Sequence, residues 1–277
     1  MANLRALIFD VDGTLAETER DGHRVAFNRT FQAAGLDWSW SVDLYGELLQ
    51  VAGGKERIRF YIEQYAPPLP EIRNWSIFIA DLHRAKTRQY TTILKSGDIQ
   101  LRTGVRRLIE AARKARITLA IATTSRLENA LALLETTLAP DAASWFDVIA
   151  AGDIVPCKKP AADIYLYVLD KMALTADQCL AIEDTEHGLA AAAGAGLKTV
   201  VTVNDYTRSQ KFSKAAMVLS HLGEPEKPFE MLAGSKMTQA YFDLNIAESI
   251  LNSEAKSERH LRVKLPKVGF AKPKLAV

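Results

Sequence analysis

Cysteine is scarce in this chain, with only Cys157 and Cys179 among 277 residues. Two thiols at this spacing form neither a disulfide framework nor a metal-binding pair, so we expect both to be reduced. Long apolar runs are also absent, and none approaches the roughly 20 residues of a membrane-spanning helix. Because no basic leader with a cleavage site precedes the first apolar run, we expect a cytoplasmic protein that binds no membrane, with the plastid stroma as the alternative.

A large excess of charge is missing as well, since the formal net charge is +2. Residues 253–277 carry seven Lys or Arg and two Glu, a net +5, which leaves −3 for residues 1–252. A mildly acidic body argues against a nucleic-acid-binding protein, which would present a basic face. With Pro266, Pro273 and few periodic apolar positions, residues 253–277 are predicted to form a basic, flexible C-terminal tail.

Short, wholly apolar runs separate segments of helical periodicity. Such runs are typical of strands buried on both faces of a parallel sheet. They occur at residues 4–9, 117–122, 146–150, 179–183 and 198–203. From residue 98 onward strand and helix patterns alternate, which predicts an α/β fold with a doubly wound parallel sheet. Residues 17–95 show helical patterns and no convincing strand, so we expect a helical insertion after the first strand.

Two aspartates, Asp10 and Asp12, follow the first apolar run in the sequence ALIFDVDGTLAETE. Side chains at alternate positions of an extended segment point the same way, and ligands bind at the carboxyl ends of the strands in open α/β sheets. Two carboxylates this close repel each other unless a cation neutralises them, and hard oxygen ligands suit Mg²⁺. The pair therefore predicts a magnesium site.

Further polar residues follow later apolar runs or precede a predicted helix. They are, in chain order, Thr123, Thr124, Ser125, Lys159, Glu183 and Asp184. Hydroxyl and backbone donors can bind phosphoryl oxygens, a lysine can offset their charge, and additional carboxylates can complete a metal site. Each residue alone is weak evidence, but together they provide the donors, the cation and the metal ligands that phosphoryl transfer needs.

The ordered segments DVDGT, ATTS, KKPAADIY and EDTEHG resemble the four motifs of the haloacid dehalogenase (HAD) superfamily. The resemblance implies a Rossmann-like catalytic core formed by residues 1–16 and 96–252, with a helical cap inserted at residues 17–95. It also implies that Asp10 is the nucleophile that forms an aspartyl-phosphate. Asp12 would be the general acid that protonates the leaving oxygen and then activates water.

The same resemblance implies roles for the other motif residues. Thr123 and Lys159 would hold the phosphoryl group. The implied magnesium-site residues are Asp10, Asp12 through its carbonyl, Glu183 and Asp184. The implied substrate contacts in the core are Thr124, Ser125 and Asn129.

Charged stretches in the predicted cap indicate a polar, anionic substrate. In VAGGKERIRFY, Gly53 and Gly54 allow a tight turn with free amides, and Lys55 and Arg57 add positive charge, although a solvated basic turn would look the same. Together with GLDWSWSVDLY and LHRAKTRQY, this stretch resembles the CbbY-type branch of the superfamily, sugar-bisphosphate phosphatases that remove xylulose 1,5-bisphosphate from the Rubisco (Calvin-cycle) pathway. The substrate contacts implied in the cap are Glu17, His23, Gly53, Gly54, Lys55, Arg57, His83, Arg84 and Lys86. Glu17 would contact sugar hydroxyls, and the basic residues would bind the distal phosphate.

The sequence thus predicts a monomeric, magnesium-dependent phosphatase of a small sugar phosphate, with xylulose 1,5-bisphosphate the favoured substrate and no nucleic-acid partner. A phosphomutase of the β-phosphoglucomutase type shares the core and the helical cap. Nothing in the sequence shows whether water is kept from the phospho-aspartate, so this alternative stays open. An alternative from another class is a catalytically silent HAD-like binding protein that docks through its basic tail, although the complete set of acid, nucleophile and metal-site residues argues against it.

Overall fold

The computed structural model describes residues 4–51, 53–69, 71–234 and 238–253. Its strands are β1 (Ala6–Phe9), β2 (Thr118–Thr123), β3 (Val148–Ala151), β4 (Cys179–Glu183), β5 (Lys198–Thr202), β6 (Met217–Leu219) and β7 (Met231–Ala233). They form one sheet in the order β3-β2-β1-β4-β5-β6-β7. All neighbours in it are parallel except β6 and β7. Of the predicted tail at residues 253–277, all but residue 253 lies outside the described residues.

The first strand lies between two strands that come much later in the sequence. Ala6 of β1 is in register with Thr118 of β2 and with Cys179 of β4. Every residue of β1 and of β4 is buried, which explains why their sequences are apolar throughout. The predicted α/β fold with a parallel sheet is therefore confirmed. The pattern does not predict β6 and β7, because three residues are too few to show a period.

Among the described residues, a single π-helical turn and four α-helices lie between β1 and residue 101. In chain order these elements are the π-helical turn Thr18–His23, α1 (Arg24–Ala33), α2 (Val42–Leu48), α3 (Gly54–Tyr65) and α4 (Trp75–Ser96). α4 begins where the Asn74 side chain accepts a hydrogen bond from the backbone N–H of Ile77. It ends at Gly97, whose φ of 74° lies in the left-handed region that glycine tolerates.

The inserted helices have an apolar cluster of their own. Trp40 is fully buried, and its ring packs against Phe27 and Phe31 at centroid distances of 4.6 and 4.9 Å. Trp38 is 4% exposed and packs edge-on against Phe31. Aromatic pairs in these tilted and edge-on arrangements add stability beyond the area that they bury. The two tryptophans are thus packing residues of the insertion.

The remaining helices cover both faces of the sheet. They are α5 (Val105–Lys114), α6 (Leu127–Thr137), α7 (Asp163–Met172), α8 (Glu186–Gly194) and α9 (Leu244–Asn252), with 3-10 turns at Ala142–Trp145 and Ala176–Gln178. Leu7 and Phe9 of β1 pack with α5, α6 and α9 on one face. Ala6 and Ile8 pack with α7 and α8 on the other face, as the alternation of side chains along a strand requires.

Two linkers connect the inserted helices to the sheet, and they lie side by side. Ala16 of the outgoing linker forms an antiparallel bridge with Leu101 of the returning linker. The loop after β5 also contacts the insertion, since Asp205 pairs with Arg20 at 2.7 Å and Tyr206 packs against the aromatic cluster. In the described part of the chain, no helix combines the length and the apolar character that crossing a bilayer requires.

Candidate active site

Three buried carboxylates meet where β1 and β4 end. Asp10 follows β1, Glu183 is the last residue of β4, and Asp184 follows it; one oxygen from each lies within 4.8 Å of the others. β1 and β4 are parallel neighbours, so their carboxyl ends are at the same edge of the sheet. The structure therefore brings together three of the four predicted metal-site residues by their carboxylate oxygens.

Lys159 lies inside this carboxylate cluster. Its ammonium group donates to Asp10 Oδ1 at 2.7 Å, to Glu183 Oε1 at 2.6 Å and to the carbonyl of Ala122 at 2.8 Å. The Tyr165 hydroxyl donates to the same Glu183 oxygen at 2.6 Å. Burial opposes the charged form of Lys159, but the attraction of Asp10 and Glu183 outweighs it and raises the pKa of the lysine.

The cluster holds more negative charge than one lysine can balance. Burial raises the pKa of Asp10 to about 7, with further raising by Glu183 and Asp12 against the opposing effect of Lys159. Burial also raises the pKa of Asp184, and the nearby Asp10 and Glu183 add to the shift. A divalent cation would remove this penalty, and three carboxylate oxygens are suitable ligands for Mg²⁺. The donor set thus fits the metal that the motifs predict.

The Asp12 side chain lies apart from this cluster. Its Oδ1 accepts a hydrogen bond from the Thr18 hydroxyl, and the residue lines the cavity in front of the three carboxylates. The next residue, Gly13, has φ 83°, and a Cβ there would lie 2.2 Å from Asp184 Oδ2. Only glycine therefore lets the chain turn this close to Asp184. The Asp12 residue therefore lines the cavity apart from the three-carboxylate cluster.

The hydroxyl residues follow β2 as the sequence predicts. Thr123 ends β2 and is almost fully buried, and its hydroxyl accepts from the backbone N–H of Ser125 at 3.0 Å. Thr124 lines the cavity beside Asp10 and Lys159. Asn129 lies in the first turn of α6, and it is not among the residues that line the cavity.

The cavity has a volume of about 720 Å³ and lies between the ends of the strands and the inserted helices. Among the predicted cap contacts, it is lined by Glu17 and Arg57. Arg57 is held in place by the carbonyl of Leu48 at 3.1 Å and the hydroxyl of Tyr45 at 3.0 Å. The Tyr45 hydroxyl donates in turn to Glu19 at 2.6 Å, so it bridges a guanidinium and a buried carboxylate.

Several other predicted cap contacts are not among the residues that line the cavity. Gly53 has φ 92° and precedes α3, whose first two residues are Gly54 and Lys55. His83 packs so closely against Gly54 that a Cβ there would lie 2.6 Å from its ring. The glycine pair therefore begins α3, and the absence of a side chain at Gly54 leaves room for the His83 ring. Lys55, the next residue, is exposed.

Lys86 and Arg84 of α4 have opposite environments. Lys86 is buried, and its ammonium lies 2.7 Å from Nδ1 of His23, which stacks on Tyr90. Burial is the main reason that the pKa of Lys86 falls to about 8. Arg84 is 69% exposed in its side chain and pairs with Asp81 at 3.3 Å. The structure thus brings Lys86 and His23 together and leaves Arg84 on the outer face of the helix.

Besides Tyr165, the sequence reasoning misses four residues that contact the site. Glu19 and Tyr45 support Arg57, Asn204 donates to Asp184 Oδ2 at 2.7 Å, and Arg102 pairs with Glu17 at 2.7 Å. Asn204 had a usable signal, because it follows the apolar run at residues 198–203 as a polar residue at a strand end. The other three are single polar residues in the insertion or its linker, and no sequence pattern distinguishes them.

The fold and this site are those of a hydrolase of phosphoric monoesters with a divalent-metal site. The family model for haloacid dehalogenase-like hydrolases matches residues 4–196. Protein CbbY of Rhodobacter capsulatus is 49% identical over 212 residues, which cover 76% of this chain and 91% of that protein. The chain belongs to the haloacid dehalogenase-like hydrolase family, as a CbbY-type phosphatase.

Two solved structures are also similar to this chain. A crystal structure of a mutant CbbY from Rhodobacter sphaeroides in complex with xylulose-(1,5)bisphosphate has a TM-score of 0.65 and 43% identity, over 79% of this chain and 94% of that chain. A crystal structure of a putative β-phosphoglucomutase from Thermotoga maritima has a TM-score of 0.60 and 27% identity, over 75% of this chain and 89% of that chain.

Proposed function

We propose that the protein is a magnesium-dependent phosphatase that removes a phosphate from a small sugar bisphosphate, with xylulose 1,5-bisphosphate as the favoured substrate. The observation that carries the proposal is the position of Asp10, which is held by Lys159 at 2.7 Å and faces a cavity that also contains Arg57. A nucleophile and a separate cationic group in one cavity suit a substrate with two anionic ends. The complex of a mutant Rhodobacter sphaeroides CbbY with xylulose-(1,5)bisphosphate supports this choice.

In the proposed reaction, an Asp10 carboxylate oxygen attacks the phosphorus and the bond from phosphorus to the sugar oxygen breaks. Asp12 gives its proton to the leaving oxygen, and the resulting Asp12 carboxylate then takes a proton from the water that attacks the aspartyl-phosphate. This second step releases inorganic phosphate and restores Asp10. Lys159 and the Thr123 hydroxyl stabilise the charge on the phosphoryl oxygens.

Asp10, Asp184 and the Asp12 carbonyl would hold the magnesium ion, with Glu183 fixing Lys159 beside it. When bound, the metal offsets the charge of the phosphoryl group. The raised pKa values of Asp10 and Asp184 support this assignment, because burial and then the neighbouring carboxylates oppose their charged forms and a bound cation would offset that cost.

The distal phosphate would be bound by the cationic residues of the inserted helices. Arg57 lines the cavity, Lys55 lies at the start of the same helix, and Lys86 lies on α4. A charge-assisted contact of this kind contributes about 1.5 to 3 kcal/mol, or roughly a tenfold to hundredfold preference for the bisphosphate. Glu17 would accept hydrogen bonds from the sugar hydroxyls.

The test is phosphate release from a panel of sugar mono- and bisphosphates, with Mg²⁺ and with a chelator. We expect turnover only with metal, and the highest kcat/KM for xylulose 1,5-bisphosphate. Arg57→Ala, at the cationic residue of α3 that lines the cavity, should lower kcat/KM for the bisphosphate far more than for a monophosphate. Arg59→Ala is the matched control, because Arg59 is an exposed cation on the same helix that does not line this cavity. Equal losses on both substrates, or a wild-type preference for the monophosphate, would contradict the bisphosphate assignment.

The likeness to a putative β-phosphoglucomutase favours one second candidate, a phosphomutase. A mutase returns the phosphoryl group to the sugar, so it yields an isomeric sugar phosphate where a phosphatase yields free phosphate. Product analysis by ³¹P NMR separates these two reactions. Absence of both products with every sugar phosphate would favour a catalytically silent binding protein.

A further inference from the structure

Arg102 is a buried arginine at the junction between the inserted helices and the sheet. Its side chain is 7% exposed, and its backbone N–H donates to the carbonyl of Leu15 in the opposite linker at 2.8 Å. The guanidinium Nε lies 2.7 Å from Glu17 Oε1. Arg102 therefore connects the returning linker to the first residues of the outgoing one.

The other guanidinium nitrogens bind backbone carbonyls of three separate segments. Nη1 donates to the carbonyls of Gly13 and Thr202, the latter at 2.8 Å, and also contacts the Thr202 hydroxyl. Nη2 donates to the carbonyls of Val203 and Ser220, the latter at 2.9 Å. A planar guanidinium whose nitrogens are all engaged in this way cannot rotate or shift. A lysine has its three donors on one atom and cannot reach these groups together.

Two of these partners belong to the site. Gly13 follows Asp12, and Glu17 lines the cavity. Burial raises the pKa of Glu17, and Arg102 is the first of the charges that oppose this shift. Arg102 thus holds the Glu17 carboxylate at a fixed distance from the loop that carries Asp12, and it favours the ionised form that accepts hydrogen bonds from hydroxyls.

We propose that Arg102 is a positioning residue for substrate selectivity, which fixes Glu17 against the Asp12 loop so that the carboxylate meets the hydroxyls of a bound sugar phosphate. Arg102 itself does not line the cavity. The proposal rests on the proposed function, because it assumes that Glu17 contacts the sugar. It adds a residue outside the four motifs and assigns it an effect on KM for the sugar substrate.

The test compares Arg102→Lys, Glu17→Gln and the double variant on two substrates. One substrate is xylulose 1,5-bisphosphate, and the other is p-nitrophenyl phosphate, which has no sugar hydroxyl. We expect each single variant to lose at least tenfold more kcat/KM on the sugar bisphosphate than on p-nitrophenyl phosphate, mainly through KM. The double variant should lose no more than the worse single variant, within about twofold, because both changes remove one interaction.

Arg107→Lys is the matched control for a merely structural arginine. Arg107 likewise binds several carbonyls, those of Leu222, Gly223 and Phe242, and it lies away from the cavity. Its replacement should lower the melting temperature without changing the ratio of the two kcat/KM values. Multiplicative losses in the Arg102→Lys/Glu17→Gln double variant, or an unchanged ratio in Arg102→Lys, would overturn the proposal.

If Arg102→Lys does not fold, Glu17→Asp decides the matter with Arg102 intact. The aspartate side chain is shorter than that of glutamate by one methylene group. If Arg102 fixes the carboxylate, the carboxylate of the variant cannot move toward the sugar, so Glu17→Asp should lose selectivity for the sugar bisphosphate as Glu17→Gln does. Wild-type selectivity in Glu17→Asp would show that Arg102 does not set the position of the carboxylate. Failure of the proposed function is distinguishable, because the wild type would then release no phosphate from any sugar phosphate.

Discussion

Gly188 of α8 lies directly against the side chain of Glu183. A Cβ at position 188 would lie 2.0 Å from the carboxyl carbon of Glu183 and 2.2 Å from Oε1, the oxygen that accepts from Lys159 and Tyr165. Glycine at this point of a helix is unfavourable by about 1 kcal/mol relative to alanine. Its presence is therefore explained by the space that the carboxylate needs.

Gly188→Ala should reduce activity although it favours the helix. The methyl group would displace Glu183 and with it Lys159, and charge-assisted hydrogen bonds of this kind contribute about 1.5 to 3 kcal/mol each. We expect kcat to fall at least tenfold with no gain in melting temperature. Gly194→Ala on the same helix is the control, because its Cβ would meet only the Ala162 Cβ at 3.2 Å. Equal kinetics in the two variants would show that the Glu183 position is unimportant.

Asp10→Asn should abolish turnover and leave the protein folded. The other carboxylates of the site have different proposed roles, since Glu183 holds Lys159, Asp184 would bind the metal and Asp12 would act as the acid, so none replaces the nucleophile. The expected loss is at least about 4 kcal/mol of transition-state stabilisation, or roughly a thousandfold in kcat. Asp153→Asn is the control, because Asp153 is exposed and pairs with Lys158 at the surface. Phosphate release by Asp10→Asn near the wild-type rate would exclude Asp10 as the nucleophile.

Activity on a bisphosphate should decline above pH 8. The pKa of Lys86 is lowered to about 8 by burial, with Arg57 lowering it further and Glu19 and Asp12 opposing. The lysine is mainly a cation below that pH, so kcat/KM for the bisphosphate should fall as the pH rises through about 8. Lys86→Met should remove this alkaline decline, whereas Lys95→Met, at an exposed position of the same helix, should keep it.

The lowered pKa of Lys86 also predicts how the free energy of unfolding changes with pH. The pKa of Lys86 is about 8 in the folded state and 10.5 for the unperturbed side chain, so between these values the unfolded chain binds more protons. The contribution of Lys86 to the free energy of unfolding should therefore rise with pH from about 8 to 10.5. Denaturant unfolding of the wild type and Lys86→Met at pH 7.5 and 10 measures it. A stability difference independent of pH would contradict the shifted pKa.

Deletion of residues 254–277 should leave the melting temperature and the phosphatase activity nearly unchanged. The cut must spare Ser253, because Lys198 donates to the carbonyls of Ile250, at 2.7 Å, and Ser253. Deletion from Leu244 onward is the comparison, since it removes α9, whose Ile246 and Ile250 are buried in the core. That longer deletion should cost several kcal/mol, at about 1.5–3 kcal/mol per buried side chain. A large drop on the shorter deletion would show that the tail packs on the core.

The sequence predicts the sheet well because burial on both faces demands unbroken apolar strands. The same logic brings Asp10, Glu183 and Asp184 together, since residues that follow parallel strands must meet at one edge. It does not decide which face of a cap helix meets the cavity. Arg84 and Lys86 look alike in the sequence, yet Lys86 is buried against His23 and Arg84 is exposed.

The contacts that fix the site across the junction depend on tertiary structure alone. Arg102 and Asn204 bind Glu17 and Asp184, their partners in distant parts of the chain. Arg102 has no signal in the sequence, and although Asn204 follows an apolar run, the sequence does not show which carboxylate it binds. The roles of the cap residues as substrate contacts stay predictions until the kinetic comparisons are made.

The central position of β1 affects how the chain can fold during synthesis. β1 leaves the ribosome first, yet the strands that flank it begin at Thr118 and Cys179. Until β4 has emerged, the apolar strand β1 lacks one of its two neighbouring strands. Parallel strands that lie this far apart in the sequence also pair slowly. The nascent chain therefore exposes an apolar, incompletely paired strand for much of its translation. Chaperone binding to ribosome-bound chains should accordingly persist until β4 has cleared the exit tunnel and decline afterwards.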